Sequence, residues 1–322
     1  MYASDKNTQL IINRKKLPHS QGKQQHIPSS ILASTLFLIS FLLLASATPM
    51  LAQQVMPAYW PAVSPDGNQV LFLSPTRGGP VYIMNADGSA PRQLTKGTRP
   101  SWFPDGKRIV VVARSETAEK IVVMNADGSN PDTLPTAYPR YVWRPRISPN
   151  GRSVIIGNYW PTDAPNVFHI VRMDGTPLRD IHPDTPGELV EATWSHDGRL
   201  AFVALQHDTA NSIHSTKLCV MNGDGSGERV VTTLPEAAQW VSWSPDNSEI
   251  ALMDEGDGDG NILIVNVTTG KIRQITHHDH PYLDETPSWS SDGWIYFQSN
   301  RSGKYAIYRM HADGSGQEQL TR

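Results

Sequence analysis

Six copies of one turn signature, spread evenly along the chain, constrain the fold more than any other feature. They are Ser64-Pro65-Asp66-Gly67, Phe103-Pro104-Asp105-Gly106, Ser148-Pro149-Asn150-Gly151, Ser195-His196-Asp197-Gly198, Ser244-Pro245-Asp246-Asn247 and Ser290-Ser291-Asp292-Gly293. Their third positions stand 39, 45, 47, 49 and 46 residues apart. A period near 45 is the length of one four-stranded propeller blade. A second signature, Met-x-x-Asp-Gly-Ser, occupies residues 84–89, 124–129, 221–226 and 310–315. It shrinks to Asp174-Gly175-Thr176 in the third unit and to Thr268-Thr269-Gly270 in the fifth.

The residues of each unit suit that architecture. Pro sets φ for a turn, Asp bonds its own backbone and Gly accepts the left-handed conformation, so each signature reverses the chain between strands. Between the reversals lie apolar runs at 70–73, 109–113, 154–156, 200–204, 250–253 and 295–297. They do not alternate, as expected of strands covered on both faces. The last strand of each unit is partly polar, which suits an outer edge. The predicted fold is therefore all-β, a six-bladed β-propeller with four antiparallel strands per blade, at about 57–97, 98–137, 138–183, 184–234, 235–278 and 279–322. The Trp before the first signature (Trp102, Trp194, Trp243, Trp289) is assigned to wedging between blades, and the Met column to the core.

Residues 1–52 read as a separate segment, a signal peptide or anchor, ahead of a propeller at 53–322. Arg14, Lys15, Lys16 and Lys23 precede an uncharged, Leu-rich run at 31–47 that ends in small residues. Basic, apolar, then small is the order of an export signal, with a retained anchor as the other reading. The chain of 322 residues carries a net charge of −3; without the leader, 23 basic and 30 acidic residues leave −7. Nucleic acid is thereby disfavoured as a partner. The single cysteine, Cys219, excludes an internal disulfide and a thiolate metal centre.

The pairing of Trp-Ser-Pro-Asp-Gly with Met-Asn-Ala-Asp-Gly-Ser and a closing Leu-Thr (Leu94-Thr95, Leu320-Thr321) resembles the propeller repeat of the TolB family, periplasmic components of the Tol–Pal system. The propellers of prolyl-oligopeptidase-type enzymes carry related repeats. The resemblance covers about residues 57–322 and implies a six-bladed propeller exported across the inner membrane. Two departures bear on function. The α/β domain that precedes the TolB propeller has no counterpart before Ala62, and the Gly-x-Ser-x-Gly elbow of the peptidases is missing from the sequence.

If the strands run from the channel outward, both signatures fall on one uniform face and the irregular loops on the other, where binding usually resides. Candidate partner-binding residues there are Tyr138, Arg140, Tyr141, Tyr159, Trp160, His207, His214, His277, His278, His280 and Tyr282. The expected function is that of an exported, monomeric, non-catalytic binding module, periplasmic or extracellular, that engages a protein or a cell-envelope polymer (peptide or carbohydrate) without cofactor or metal. It touches a membrane only through an uncleaved leader. The alternative is a metal-dependent oligosaccharide lyase or hydrolase using a His site at the channel mouth, since in an extended loop His278 and His280 would point to the same side. Glu255-x-Asp257-x-Asp259-Gly260 faintly echoes a calcium loop, but Asn266 stands where Glu would close it. Whether each blade is one contiguous segment, or residues 54–60 pair with the last blade, stays open.

Overall fold

A computed structural model describes residues 56–77, 79–114, 119–135, 142–158, 167–208, 213–234, 236–255, 260–277 and 282–322. Among them are 24 strands and no helix. Blade one is β1 (Tyr59–Val63), β2 (Gln69–Leu73), β3 (Val81–Asn85) and β4 (Arg92–Thr95). Blade two is β5 (Thr98–Trp102), β6 (Arg108–Arg114), β7 (Glu119–Asn125) and β8 (Asp132–Thr133). Blade three is β9 (Val142–Ile147), β10 (Ser153–Asn158), β11 (Phe168–Arg172) and β12 (Pro177–Ile181). Blade four is β13 (Glu188–Trp194), β14 (Arg199–His207), β15 (Ile213–Asn222) and β16 (Arg229–Leu234). Blade five is β17 (Ala238–Trp243), β18 (Glu249–Asp254), β19 (Asn261–Asn266) and β20 (Ile272–Gln274). Blade six is β21 (Asp284–Trp289), β22 (Trp294–Ser299), β23 (Ala306–His311) and β24 (Glu318–Gln319). Every sheet is antiparallel and pairs its strands in chain order.

The first strand of each blade touches the first strands of both neighbours, so β1, β5, β9, β13, β17 and β21 form the inner ring. The second strands are apolar throughout because their two faces serve different cores. In β2, Val70 and Phe72 pack into the cluster shared with blade six, whereas Leu71 and Leu73 pack into the one shared with blade two. In β6, Ile109 and Val111 pack against blade one, Val110 and Val112 against blade three. A period of two thus supplies six inter-blade cores from runs that do not alternate in polarity. Met84, Met124, Met221 and Met310 are all buried in these cores.

The first signature closes by a repeated bond set. In blade one the Ser64 hydroxyl donates to Asp66 Oδ1 at 2.6 Å, and Ser64 Oγ accepts from the Gln69 amide at 2.9 Å. The two signatures meet, because the Ala86 amide donates to Asn68 O and the Ala126 amide to Lys107 O, both between the turns of one blade. Both therefore sit on one face. The glycine of the second signature faces a close approach as well as a left-handed φ. A Cβ on Gly88 (φ +83°) would stand 2.4 Å from the carbonyl oxygen of Leu320 in blade six.

Each blade is one contiguous segment, and among the described residues no strand is exchanged between the ends of the chain. Polar bonds line the junction of blades one and six. The Ala58 amide donates to Tyr305 O at 2.8 Å, the Trp60 amide to Gln298 Oε1 at 2.7 Å, and Arg77 pairs with Glu285 at 2.6 Å.

Candidate functional site

Every inner strand carries a one-residue bulge, falling between Tyr59 and Ala62, Thr98 and Ser101, Trp143 and Arg146, Leu189 and Glu191, Gln239 and Ser242, and Glu285 and Ser288. Five of the bulges hold a non-glycine residue at positive φ: Trp60 (53°), Arg99 (52°), Arg144 (42°), Trp240 (65°) and Thr286 (57°). In four of these the next residue is Pro. A bulky residue held left-handed costs on the order of 1–3 kcal/mol and persists only where its surroundings over-determine it. Here the bulge re-aims one side chain per blade toward the axis.

Those side chains form a layer across the channel. Trp60 of blade one and Trp240 of blade five lie with ring centroids 6.0 Å apart. The Arg144 guanidinium of blade three stands over both, 3.9 Å from the Trp240 ring centre and 5.8 Å from that of Trp60. Glu191 of blade four, 1% exposed, accepts from Arg144 Nη1 at 2.9 Å and from Arg146 Nη2 at 3.1 Å. Arg99 of blade two pairs with Glu119 at 3.0 Å. Burial pushes the Arg144 guanidinium down to about 10, Glu191 opposes that shift, and the charges of Arg146 and Arg99 add to it.

On the signature-turn side of this layer a funnel of about 450 Å³ opens. All six inner strands line it. Arg144, Arg146 and Thr286 lie at its floor; Ser101, Thr193, Ser242 and Ser288 line its wall. Pro65, Pro104, Pro149, His196, Pro245 and Ser291, each the second residue of a first signature, ring its mouth. Trp102, Trp194 and Trp289 border it too, so their role as wedges does not exhaust them. Wedges they are: the Trp102 indole N–H donates to Ala62 O of the preceding blade at 2.9 Å. The Trp243 indole N–H donates likewise to Thr193 O at 3.4 Å.

Of the eleven residues singled out on the irregular face, Tyr138, Arg140, Tyr141, Tyr159, Trp160, His278 and His280 lie outside the described residues, as do the leader, Asp257 and Asp259. The other four have separate surroundings. His207 Nε2 meets Glu188 at 3.0 Å, His214 and His277 are exposed, and Tyr282 lies under the Arg301 guanidinium at 5.2 Å. Among the described residues no group of three or more His, Cys, Asp and Glu is placed to hold a metal ion. Burial pushes the Cys219 thiol up to about 11, and the neighbouring Thr185 hydroxyl opposes that shift. Sequence reasoning missed Trp60, Arg144, Glu191 and Trp240. The signal was present in the repeat: they fall four places before the first residue of the signature, in a column that varies from blade to blade.

Fold and site together define a six-bladed propeller of contiguous blades with a polar central funnel. The TolB beta propeller domain family matches residues 44–197 and 169–322, and the chain belongs to it. An uncharacterized protein of Agrobacterium fabrum is 33% identical over 99 residues, 30% of this chain and 32% of that protein, so the chain spans about a third of that curated relative in the match. TolB from Acinetobacter baumannii is similar in structure over 83% of this chain and 64% of its own, at 17% identity and a TM-score of 0.62. The β-propeller domain of the Trilobed protease from Pyrococcus furiosus, which has an open velcro topology, matches over 83% of this chain and 84% of its own, at 14% identity and a TM-score of 0.55. At these identities the likeness to solved structures is one of fold.

Proposed function

We propose that the chain is an exported, non-catalytic binding propeller that receives a projecting segment of a protein or cell-envelope polymer in its central funnel. The funnel itself carries this reading: one concavity lined by all six blades, with hydroxyls, indole edges and two guanidiniums. A volume of about 450 Å³ falls within the range of ligand sites, and a few polar groups on a rigid scaffold are what orient a ligand in one. The order of basic, apolar and small residues in the leader supports export. The funnel is preferred to the irregular face because side chains from every blade converge in it.

The experiment is capture of a partner from cell-envelope extract on immobilised protein. Ser242→Trp, which fills the funnel from its wall, should abolish capture while far-UV circular dichroism stays native. A paired His214→Ala/His277→Ala variant on the opposite face should capture normally. Full capture by a folded Ser242→Trp protein would refute the reading.

A further inference from the structure

We propose that the funnel floor is an oxyanion site that takes a carboxylate carried by the inserted segment of a protein partner, with Arg146 as its pairing cation. This inference rests on the funnel reading and adds its chemistry.

The floor and wall are rich in donors that lack acceptors. Arg146, its side chain 22% exposed, lines the funnel; its Nη2 binds Glu191, while its Nε is buried without a partner among the described residues. The Thr286 hydroxyl, in a residue 3% exposed, lines the funnel and has no partner among the described residues. Ser242 Oγ accepts the Trp289 amide at 2.9 Å, and Ser288 Oγ accepts the Val63 amide at 3.2 Å. Each of these bonds uses a lone pair, so each hydroxyl proton remains available to an acceptor in the funnel. The same two bonds tie adjacent blades together and thereby hold the hydroxyls in place.

Charge points the same way. Among the described residues, the titratable ones lining the funnel are Arg144, Arg146 and His196, with no Asp or Glu. Beneath, two guanidiniums share the single carboxylate of Glu191, leaving a net positive floor. Glu191 Oε2 also has no partner among the described residues, but its side chain is 1% exposed and its charge is already engaged twice. A guanidinium edge suits a two-oxygen anion, since such bonds are roughly twice as strong as neutral ones. The proline-ringed mouth and indole walls fit a ligand that is apolar along its stem and anionic at its tip, as an acidic side chain or a chain terminus is.

The test uses protein labelled with ¹⁵N-arginine, with the Arg146 Nε–H resonance assigned by comparison with Arg146→Gln. It is titrated at constant ionic strength with acetate, with acetamide as the neutral isostere, and with inorganic phosphate. Acetate should give a saturable shift with a Kd in the millimolar range and acetamide none. No saturable shift by about 100 mM acetate, or an equal response to acetamide, would overturn the proposal. Phosphate saturating about tenfold more tightly than acetate would overturn the carboxylate assignment. Partner capture that survives Arg146→Gln but not Ser242→Trp would leave the binding funnel standing and remove the anion site; capture surviving both would remove the funnel reading itself.

Discussion

Replacing Glu191 by Gln probes the layer at the centre of the ring. The carboxylate is buried and joined to Arg144 and Arg146, so its loss strands a buried guanidinium. Removing one partner of a buried pair costs about 3–5 kcal/mol. Two features move the figure to the lower end. Arg146 has the funnel to turn into, and Arg144 keeps its place over the faces of Trp60 and Trp240, each such contact being worth on the order of 0.5–2 kcal/mol. A loss of about 3 kcal/mol lowers the melting temperature of a domain this size by roughly 6–10 °C. Thermal unfolding at neutral pH, followed by circular dichroism and by tryptophan fluorescence, reads it directly. Adding Arg144→Met removes the stranded cation and should restore at least half of the loss, since apolar replacement of buried ions is often neutral. A Glu191→Gln protein melting within about 1 °C of the parent, or a double variant no more stable than the single, would refute the ionic account of the layer.

Two further outcomes follow from the turns. Gly88→Ala and Gly198→Ala both place Ala at positive φ, at a cost of about 1–2 kcal/mol, but only at Gly88 does the added Cβ meet backbone, 2.4 Å from Leu320 O, whereas nothing lies within 4 Å at Gly198. Gly88→Ala should therefore melt several degrees lower than Gly198→Ala, and equal melting points would remove the inter-blade contact from the explanation. The hydroxyls of Ser64 and Ser244 hold Asp66 and Asp246 below the usual carboxylate range, and those of Ser89, Ser129, Thr176, Ser226 and Ser315 do the same for Asp87, Asp127, Asp174, Asp224 and Asp313. A carboxylate depressed in the folded state stabilises above its unfolded pKa, about 3.9, and loses that effect as pH falls through the folded value. Melting temperature should thus hold steady down to about pH 5 and drop below about pH 4, less steeply in Asp66→Asn/Asp246→Asn; Asn150 already fills this role in blade three, accepting from Ser148 Oγ at 2.8 Å.

Blade count, strand count, the inner-to-outer order and the shared face of the two signatures were all legible in the sequence. Turns and burial are local physics: the hydroxyl-to-carboxylate bond of Ser64 and Asp66 recurs at Ser195 and Asp197, Ser244 and Asp246, and Ser290 and Asp292, and Val70 to Leu73 are apolar because two neighbours claim them. The central layer was not legible. Trp60, Arg144, Glu191 and Trp240 are far apart in the chain and unlike one another, and they meet only because six bulges turn six strands toward one axis. Ring closure was undetermined for a related reason, since the bonds of Ala58 to Tyr305 and Trp60 to Gln298 link residues near opposite ends of the chain.

That the funnel is where a partner docks is tested most directly by site-specific photo-crosslinking in envelope extract. With a photoreactive residue at Pro104 or Pro245 on the funnel mouth, or at His277 on the opposite face, a discrete adduct should form from the two mouth positions and not from His277. An adduct from His277 alone, with both mouth positions silent, would contradict the claim.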